Sequence, residues 1–509
     1  MTVGIDLGTT YSLVARLDEQ SHLPVLMPDQ TYSDTLYTPS VVYLDDEREF
    51  AYVGQAVETL IEQRPAVESQ VLRFFKQQLG SGRPMRLHKG TAWHSEAVAG
   101  LVLKKLGLDA QVYAAQEVEA AVVTVPAHFN DPQRKAVKAA AYMADVPLIG
   151  LVEEPVAAAL AYGVTNRAFG DTLLVYDLGG GTFDATVLTV TPDAVDVLAK
   201  DGVTELGGRN FDDEIIALLL EQFEAAGLPV RRGGALLQQA RRAAEDIKIT
   251  LCEPGRQSIR QTVVLGSNAA EVTVRRRSFE RRIQQYLDQA DEVLLRCVHG
   301  ADLRPEDVDV VLLVGGSSMT PLVQTRVRRL FDRDHQQVLF NEPTKAVAMG
   351  AALHASQLTG EAAERDIPPA FRGVAGYDLG VRTRDAASGR VYVDKLIRRN
   401  APLPARTKRT YYTGVPDQRR MRLEVVQLDS TGEEVPLGSL VVGPLPAGDV
   451  NRPIEVAMGY GEDGTVSVDV QDPATGQQLR RTFGEDSAEG FRHLAIQHQL
   501  VRSTVLQSV

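Results

Sequence analysis

Two short runs of this chain have the residue types and spacing to hold a charged ligand. Val3 to Ser12 read VGIDLGTTYS, and Leu173 to Asp184 read LLVYDLGGGTFD. Each is an apolar strand ending in an aspartate, Asp6 or Asp177, then a turn of glycine and threonine, then a second strand. Glycine leaves backbone N–H groups open to a ligand and accepts positive φ. Two such turns face to face can hold a polyphosphate, and the two carboxylates suit Mg2+ with its waters. Gly8, Thr9, Thr10 and Tyr11 form the first candidate loop, and Gly179, Gly180, Gly181 and Thr182 the second. A third turn, Gly315-Gly316-Ser317, lies between a strand and a helix and can accept the base or ribose end of a nucleotide. Gly207-Gly208 is a fourth candidate turn. No GxxxxGK[ST] pattern is present, which excludes a P-loop.

A unit repeated on this scale predicts two similar lobes facing each other. A chain of 509 residues exceeds what one core supports, so at least two domains are expected. Up to about residue 360 strands and helices alternate: a strand at Ala120–Val125, helices at 133–144, 155–161 and 238–251, a strand at 308–314 and a helix at Pro321–Leu330. This pattern is that of an α/β domain. A Gly- and Pro-bearing stretch, 361–376, reads as a linker. From 377 to 485 short alternating strands punctuated by Pro and Gly predict an all-β sandwich. Residues 486–509 are a short tail with room for one helix.

Composition narrows the function classes. The net charge of −13 argues against general nucleic-acid binding. That excess sits in the first part, because residues from 371 onward carry about 18 basic against about 17 acidic side chains. Cys252 and Cys297 lack CxxC spacing, so neither a metal site nor a disulfide framework is indicated. The first strand begins by Val3 and no run of about 18 apolar residues exists. The default expectation is a cytoplasmic protein with no membrane and no nucleic-acid partner.

Six motifs taken together resemble the Hsp70 chaperones, within the actin, hexokinase and Hsp70 ATPase superfamily. They are GIDLGTTYS from Gly4, VPAHFND from Val125, EPVAAALAYG from Glu154, YDLGGGTFD from Tyr176, LLVGGS from Leu312 and AVAMGAA from Ala346. The resemblance runs to about residue 483. It implies a two-lobed actin-like ATPase domain followed by a β-sandwich that grips extended polypeptide, with ATP/ADP and Mg2+ as cofactors and K+ as a further candidate cation. It also implies roles. Asp6 and Asp177 match the carboxylates that hold Mg2+ through water. Thr9, Thr10 and Tyr11, and Gly179 to Thr182, match the phosphate loops. Lys76, Glu154, Asp177, Thr182 and Asp184 match the hydrolytic set, and Glu245 with Lys248 matches the adenosine contacts. Val381 and Met421 fall where the sandwich's peptide pocket is expected; ordinary sandwich core is the alternative for both. Unfolded or extended polypeptide is the implied ligand, with a J-domain co-chaperone and a nucleotide exchange factor as further partners.

The departures matter too. Met319 stands where the family often has an adenine-stacking arginine, and Cys252 where a serine contacts the base. Thr344 and Lys345 replace an Asp and a Glu, and Gly150 replaces the arginine that meets J-domains. Weaker ATP binding is expected. No helical lid follows Phe483, and the apolar linker that usually docks on the ATPase domain is replaced by PPAFRGVAG from Pro368, so its docking contact is expected to be lost. An ATP-dependent chaperone is the first reading. The second is a nucleotide-switched scaffold for one dedicated partner; a small-molecule kinase of the same superfamily is a weaker third.

Overall fold

The computed structural model describes residues 1–507 except 19, 32–34, 47–49, 167–169, 229–233, 341–343, 362–369, 386–387, 430–431, 449, 462–463 and 484–487. Its first feature is a duplication. In lobe I the hairpin strands Thr2–Asp6, Tyr11–Leu17 and Pro24–Met27 run antiparallel, with Ala120–Val125 and then Leu148–Glu153 added in parallel beside the first. In lobe II, Thr172–Leu178, Phe183–Val190 and Ala194–Val203 repeat the antiparallel set, and Val310–Val314 and Gln337–Leu339 repeat the parallel additions. The strands covered on both faces are wholly buried and, apart from Thr124, apolar, as Ala120–Val125 and Val310–Val314 show.

Two helices tie the lobes together. Glu154–Asn166 leaves the last strand of lobe I and packs on the lobe II sheet, while Ala346–Thr359 follows lobe II and packs on the lobe I sheet. They cross closely because their contact residues are small. A Cβ on Gly350 would fall onto the carbonyl of Ala157, and one on Gly4 would meet the backbone of Ala352. Lobe II also carries the helices Gly208–Ala225, Gly234–Cys252, Arg276–Gly300 and Pro321–Leu330 with the hairpin Ser258–Leu265/Asn268–Arg275.

The C-terminal strands form two antiparallel sheets. One contains Val391–Ile397, Asp378–Arg384, Met421–Leu428 and Glu434–Val442; the other contains Ala405–Tyr412, Pro453–Tyr460, Val466–Gln471 and Gln478–Phe483. Inward residues such as Leu379, Val425, Val456 and Val468 alternate with outward polar ones and make a single core.

The linker differs from expectation. Residues 362–369 lie outside the described set, but Ala370–Arg372 adds to the lobe II sheet as a parallel strand against Ala194–Asp196. Phe371 packs edge-on against His354, with ring centroids 4.6 Å apart, and Val374 is buried in the core between the lobes. The docking contact is therefore present. Strand addition uses main-chain hydrogen bonds, which do not require the missing apolar sequence.

The tail also docks, and onto lobe I. Helix Ala488–Ser503 packs on helices Ser95–Ala114 and Asp131–Met143, burying Val501 in the lobe I core. Gln497 donates to the carbonyl of Ala92 at 2.8 Å, and the ring of His498 lies on that of Tyr142. Lys104 donates to the carbonyls of Val501, Arg502 and Thr504 at the helix end, where a cation suits the dipole. Val505–Leu506 then pairs with Phe50–Ala51. No helix among the described residues is long and apolar enough to cross a membrane.

Candidate active site

The glycine turns meet at the floor of the cleft between the lobes. Each is held by its neighbours. Ser12 and Ser40 brace the first turn: Ser12 Oγ accepts from Gly8 N, and Ser40 Oγ donates to Gly8 O. The second is backed by Gly207 and Gly208, whose segment donates from Gly208 N to Gly179 O at 3.0 Å. A Cβ on Gly207 would sit 2.6 Å from Gly181 N, so the two turns touch through main chain alone. Ser317 in the third turn donates to Gly179 O at 2.8 Å. Gly315, at φ +81°, passes so close to Leu178 and Asp177 that no side chain would fit. A Cβ on Gly180 would collide with Thr10 across the cleft. The loops thus line a cradle shaped for a ligand that bonds to backbone.

Lys76 lies on the short helical turn Phe75–Gln78 and enters the site from lobe I. Its Nζ is 2.5 Å from Glu154 Oε1, and both side chains are buried. Asp6, Glu154 and Asp177 crowd this one ammonium, three carboxylates against one cation. Burial pushes the Asp6 carboxyl up to about 6, with the Glu154 charge adding to it and Lys76 and Thr124 opposing. Burial also raises Asp177 well above its ordinary value, followed by repulsion from Glu154, Asp184 and Asp6. For Lys76 burial opposes the charge, but Glu154 and Asp6 together hold the ammonium above its usual range. A site this short of positive charge fits a divalent cation. Among the described residues no group of three His, Cys, Asp or Glu side chains has metal-holding geometry.

The cleft has a volume of about 740 Å³ and is lined by Asp6, Gly8, Thr9, Thr10, Tyr11, Lys76, Glu154, Asp177, Gly179, Gly180, Thr182, Glu245, Lys248, Gly315, Gly316 and Ser317 among others. Gly208 lines its polar extension towards the cleft mouth. Asp184 differs. It sits directly opposite Asp177 in the hairpin, so the two side chains share one face of the sheet, and it is buried with Oδ1 2.7 Å from His128 Nδ1. Lys248 is paired with Asp212 at 2.7 Å, and burial raises the Asp212 carboxyl to about 6 against the pull of Lys248. Ile249 and Met319 also line the cleft and are both about half exposed. Val381 and Met421 lie in the sandwich core with Leu379 and Leu423.

The roles of Gln77 and Arg209 left no trace in the motifs, and the His128–Asp184 and Tyr37–Thr344 contacts were not foreseen although His128 lies within VPAHFND. Gln77 follows Lys76 and Arg209 follows the Gly207-Gly208 turn, and that adjacency is the signal the sequence offers for them.

The chain matches the family model described as Hsp70 protein over residues 2–490. It belongs to the Hsp70 family. Proteins named chaperone protein DnaK from Thermosipho melanesiensis and Thermosipho africanus are 31% and 32% identical over 484 residues, covering 94% of this chain and 79% and 78% of their own lengths. This Hsp70 is accordingly an ATP-dependent chaperone of the ATPase class.

Proposed function

We propose that this Hsp70 hydrolyses ATP slowly at the cleft floor and couples that reaction to polypeptide binding in the sandwich. The observation that carries the proposal is the convergence of Lys76, Glu154, Asp6 and Asp177 beneath two facing glycine turns. Asp6 and Asp177 are the residues that would hold Mg2+, which would supply charge neutralisation for the phosphates. The backbone of Gly8 to Tyr11 and of Gly179 to Thr182 receives the phosphate oxygens. Gly207, Gly208, Gly315, Gly316, Ser317, Glu245 and Lys248 receive the nucleoside end. Lys76 places positive charge beside the terminal phosphate, and Glu154 fixes the ammonium and can accept a proton from a water at Oε1. Phosphoryl transfer to water needs position and charge more than covalent help. Asp184 acts from the same sheet face as Asp177, orienting His128 and raising Asp177.

Glu153 and Glu154 give the coupling a route. Glu154 holds Lys76, while its neighbour Glu153 accepts from Arg134 at 2.6 Å and from Lys200 at 2.7 Å. Beside Lys200, Asp201 pairs with Arg399 at the sandwich base at 2.8 Å, and the hydroxyl of Tyr377, where the sandwich begins, donates to the carbonyl of His128. These contacts, with the docked linker strand, let one arrangement of the lobes favour one arrangement of the sandwich. A J-domain protein and an exchange factor are proposed partners on family grounds, although Gly150 offers no arginine.

Single-turnover hydrolysis tests the assignment. Lys76→Ala is expected to bind nucleotide within a few-fold of the parent and to lose about 100-fold or more in rate, the usual scale for one positioned charge. Hydrolysis undiminished in Lys76→Ala would overturn it. Because Met319 and Cys252 stand where the family often has an arginine and a serine at the base, ATP is expected to bind more weakly than in a typical member; a nanomolar titration would contradict that.

A further inference from the structure

Lys76 lies two residues after an unusual one. Phe74, a bulky side chain, holds φ +57° in the left-handed region, which such residues seldom adopt. A conformation of this kind persists only where the surroundings impose it. Here the surroundings come from the opposite lobe. The guanidinium of Arg209 lies 5.2 Å from the Phe74 ring centroid and that of Arg241 lies 5.5 Å from it. A cation over an aromatic face at this range is attractive, more so when partly desolvated.

Arg209 makes a second contact across the cleft. It donates to Gln77 Oε1 at 3.0 Å, and Gln77 in turn donates from Nε2 to the carbonyl of Gly181 at 3.3 Å. The backbone of Arg209 also donates to Gly180 O at 2.8 Å. One residue of lobe II therefore grips both flanks of Lys76, at Phe74 and at Gln77, while bracing the second phosphate loop. Arg241 is anchored by Asp213 at 2.9 Å, whereas Arg209 has no carboxylate partner among the described residues, so its charge is free for the ring.

We propose that Arg209 is the positioning residue for Lys76: it pins the Phe74–Gln77 turn to the second phosphate loop, so that the lysine is seated only when the lobes are closed. The proposal rests on Lys76 being the hydrolytic lysine. It makes hydrolysis, and not nucleotide binding alone, conditional on lobe closure. A side chain held loosely by even about 1 Å loses much of its effect on rate.

The test uses the full chain with Arg209→Ala, Arg209→Lys, Gln77→Ala and the Ala/Ala double variant. Single-turnover hydrolysis at saturating Mg-ATP, ADP affinity and acylation of Lys76 by an amine-reactive reagent in Mg-ADP, read by peptide mass spectrometry, are measured together. Arg209→Ala is expected to slow hydrolysis about tenfold or more, change ADP affinity less than about threefold and raise Lys76 labelling several-fold. Buried Lys105 and Lys200 stay protected. Arg209→Lys restores part of the rate, and the double variant is no slower than the worse single, since both act through one turn. Unchanged rate and unchanged Lys76 labelling would overturn the proposal, as would labelling that rises equally at Lys105 and Lys200. If the parent shows no turnover but Lys76 labelling still responds selectively, positioning by Arg209 stands and the hydrolytic role of Lys76 falls.

Discussion

Adjacent acidic residues in this Hsp70 serve opposite directions. Glu154 turns to Lys76 and Glu153 to Arg134 and Lys200 because alternate positions at the end of a strand point to opposite faces. Sequence alone marked Glu154, which begins a recognisable motif, and was silent on Glu153, whose partners are distant in the chain. Asp212 offers a residue-scale test of the cleft's electrostatics. Its carboxyl is raised from 3.8 to about 6, chiefly by burial. A raised carboxyl favours the protonated fold, so its contribution is full below about pH 4 and is lost as pH rises through about 6. At pH 7 the ionised form costs on the order of 1–3 kcal/mol. Asp212→Asn should therefore melt higher than the parent at pH 7 and converge with it near pH 4. A variant less stable at pH 7 would show that the charge pair with Lys248 outweighs burial.

At the scale of elements, the crossing of helices Glu154–Asn166 and Ala346–Thr359 sets how the lobes meet. Gly350→Ala would push these helices apart at Ala157 and is expected to cost about 1–3 kcal/mol, the range for overpacking, with a lower Tm. A Tm equal to the parent's would mean that the crossing is not tight. The AVAMGAA run announced this helix, and its small residues are legible as close packing once the crossing is known. The Pro321–Leu330 helix was legible to the residue, and Pro321 stands at its first turn, where proline is favoured. The linker was not. Its docking uses backbone hydrogen bonds against Ala194–Asp196, and backbone pairing leaves little trace in side-chain pattern. The tail's place on lobe I was equally hidden, because Val501 and Gln497 look like residues of any amphipathic helix until their partners are found.

For the whole molecule, the repeated Asp–Gly–Thr unit foretold the duplication, and the structure extends it to matching strand order in both sheets. The sandwich was legible from period-two alternation, as in Val466–Gln471. What sequence could not supply was the relation between the parts: Tyr377 on His128, Arg399 on Asp201 and Arg209 across the cleft join residues far apart in the chain. The central claim is that these junctions make hydrolysis answer to polypeptide. It is tested most directly by single-turnover ATP hydrolysis with Mg2+, with and without an unfolded peptide, in the parent and in Lys76→Ala. Slow turnover that peptide accelerates and Lys76→Ala abolishes is the expected result. Turnover indifferent to peptide would contradict the coupling and favour a nucleotide-switched scaffold, and no turnover at all would contradict the hydrolytic assignment itself.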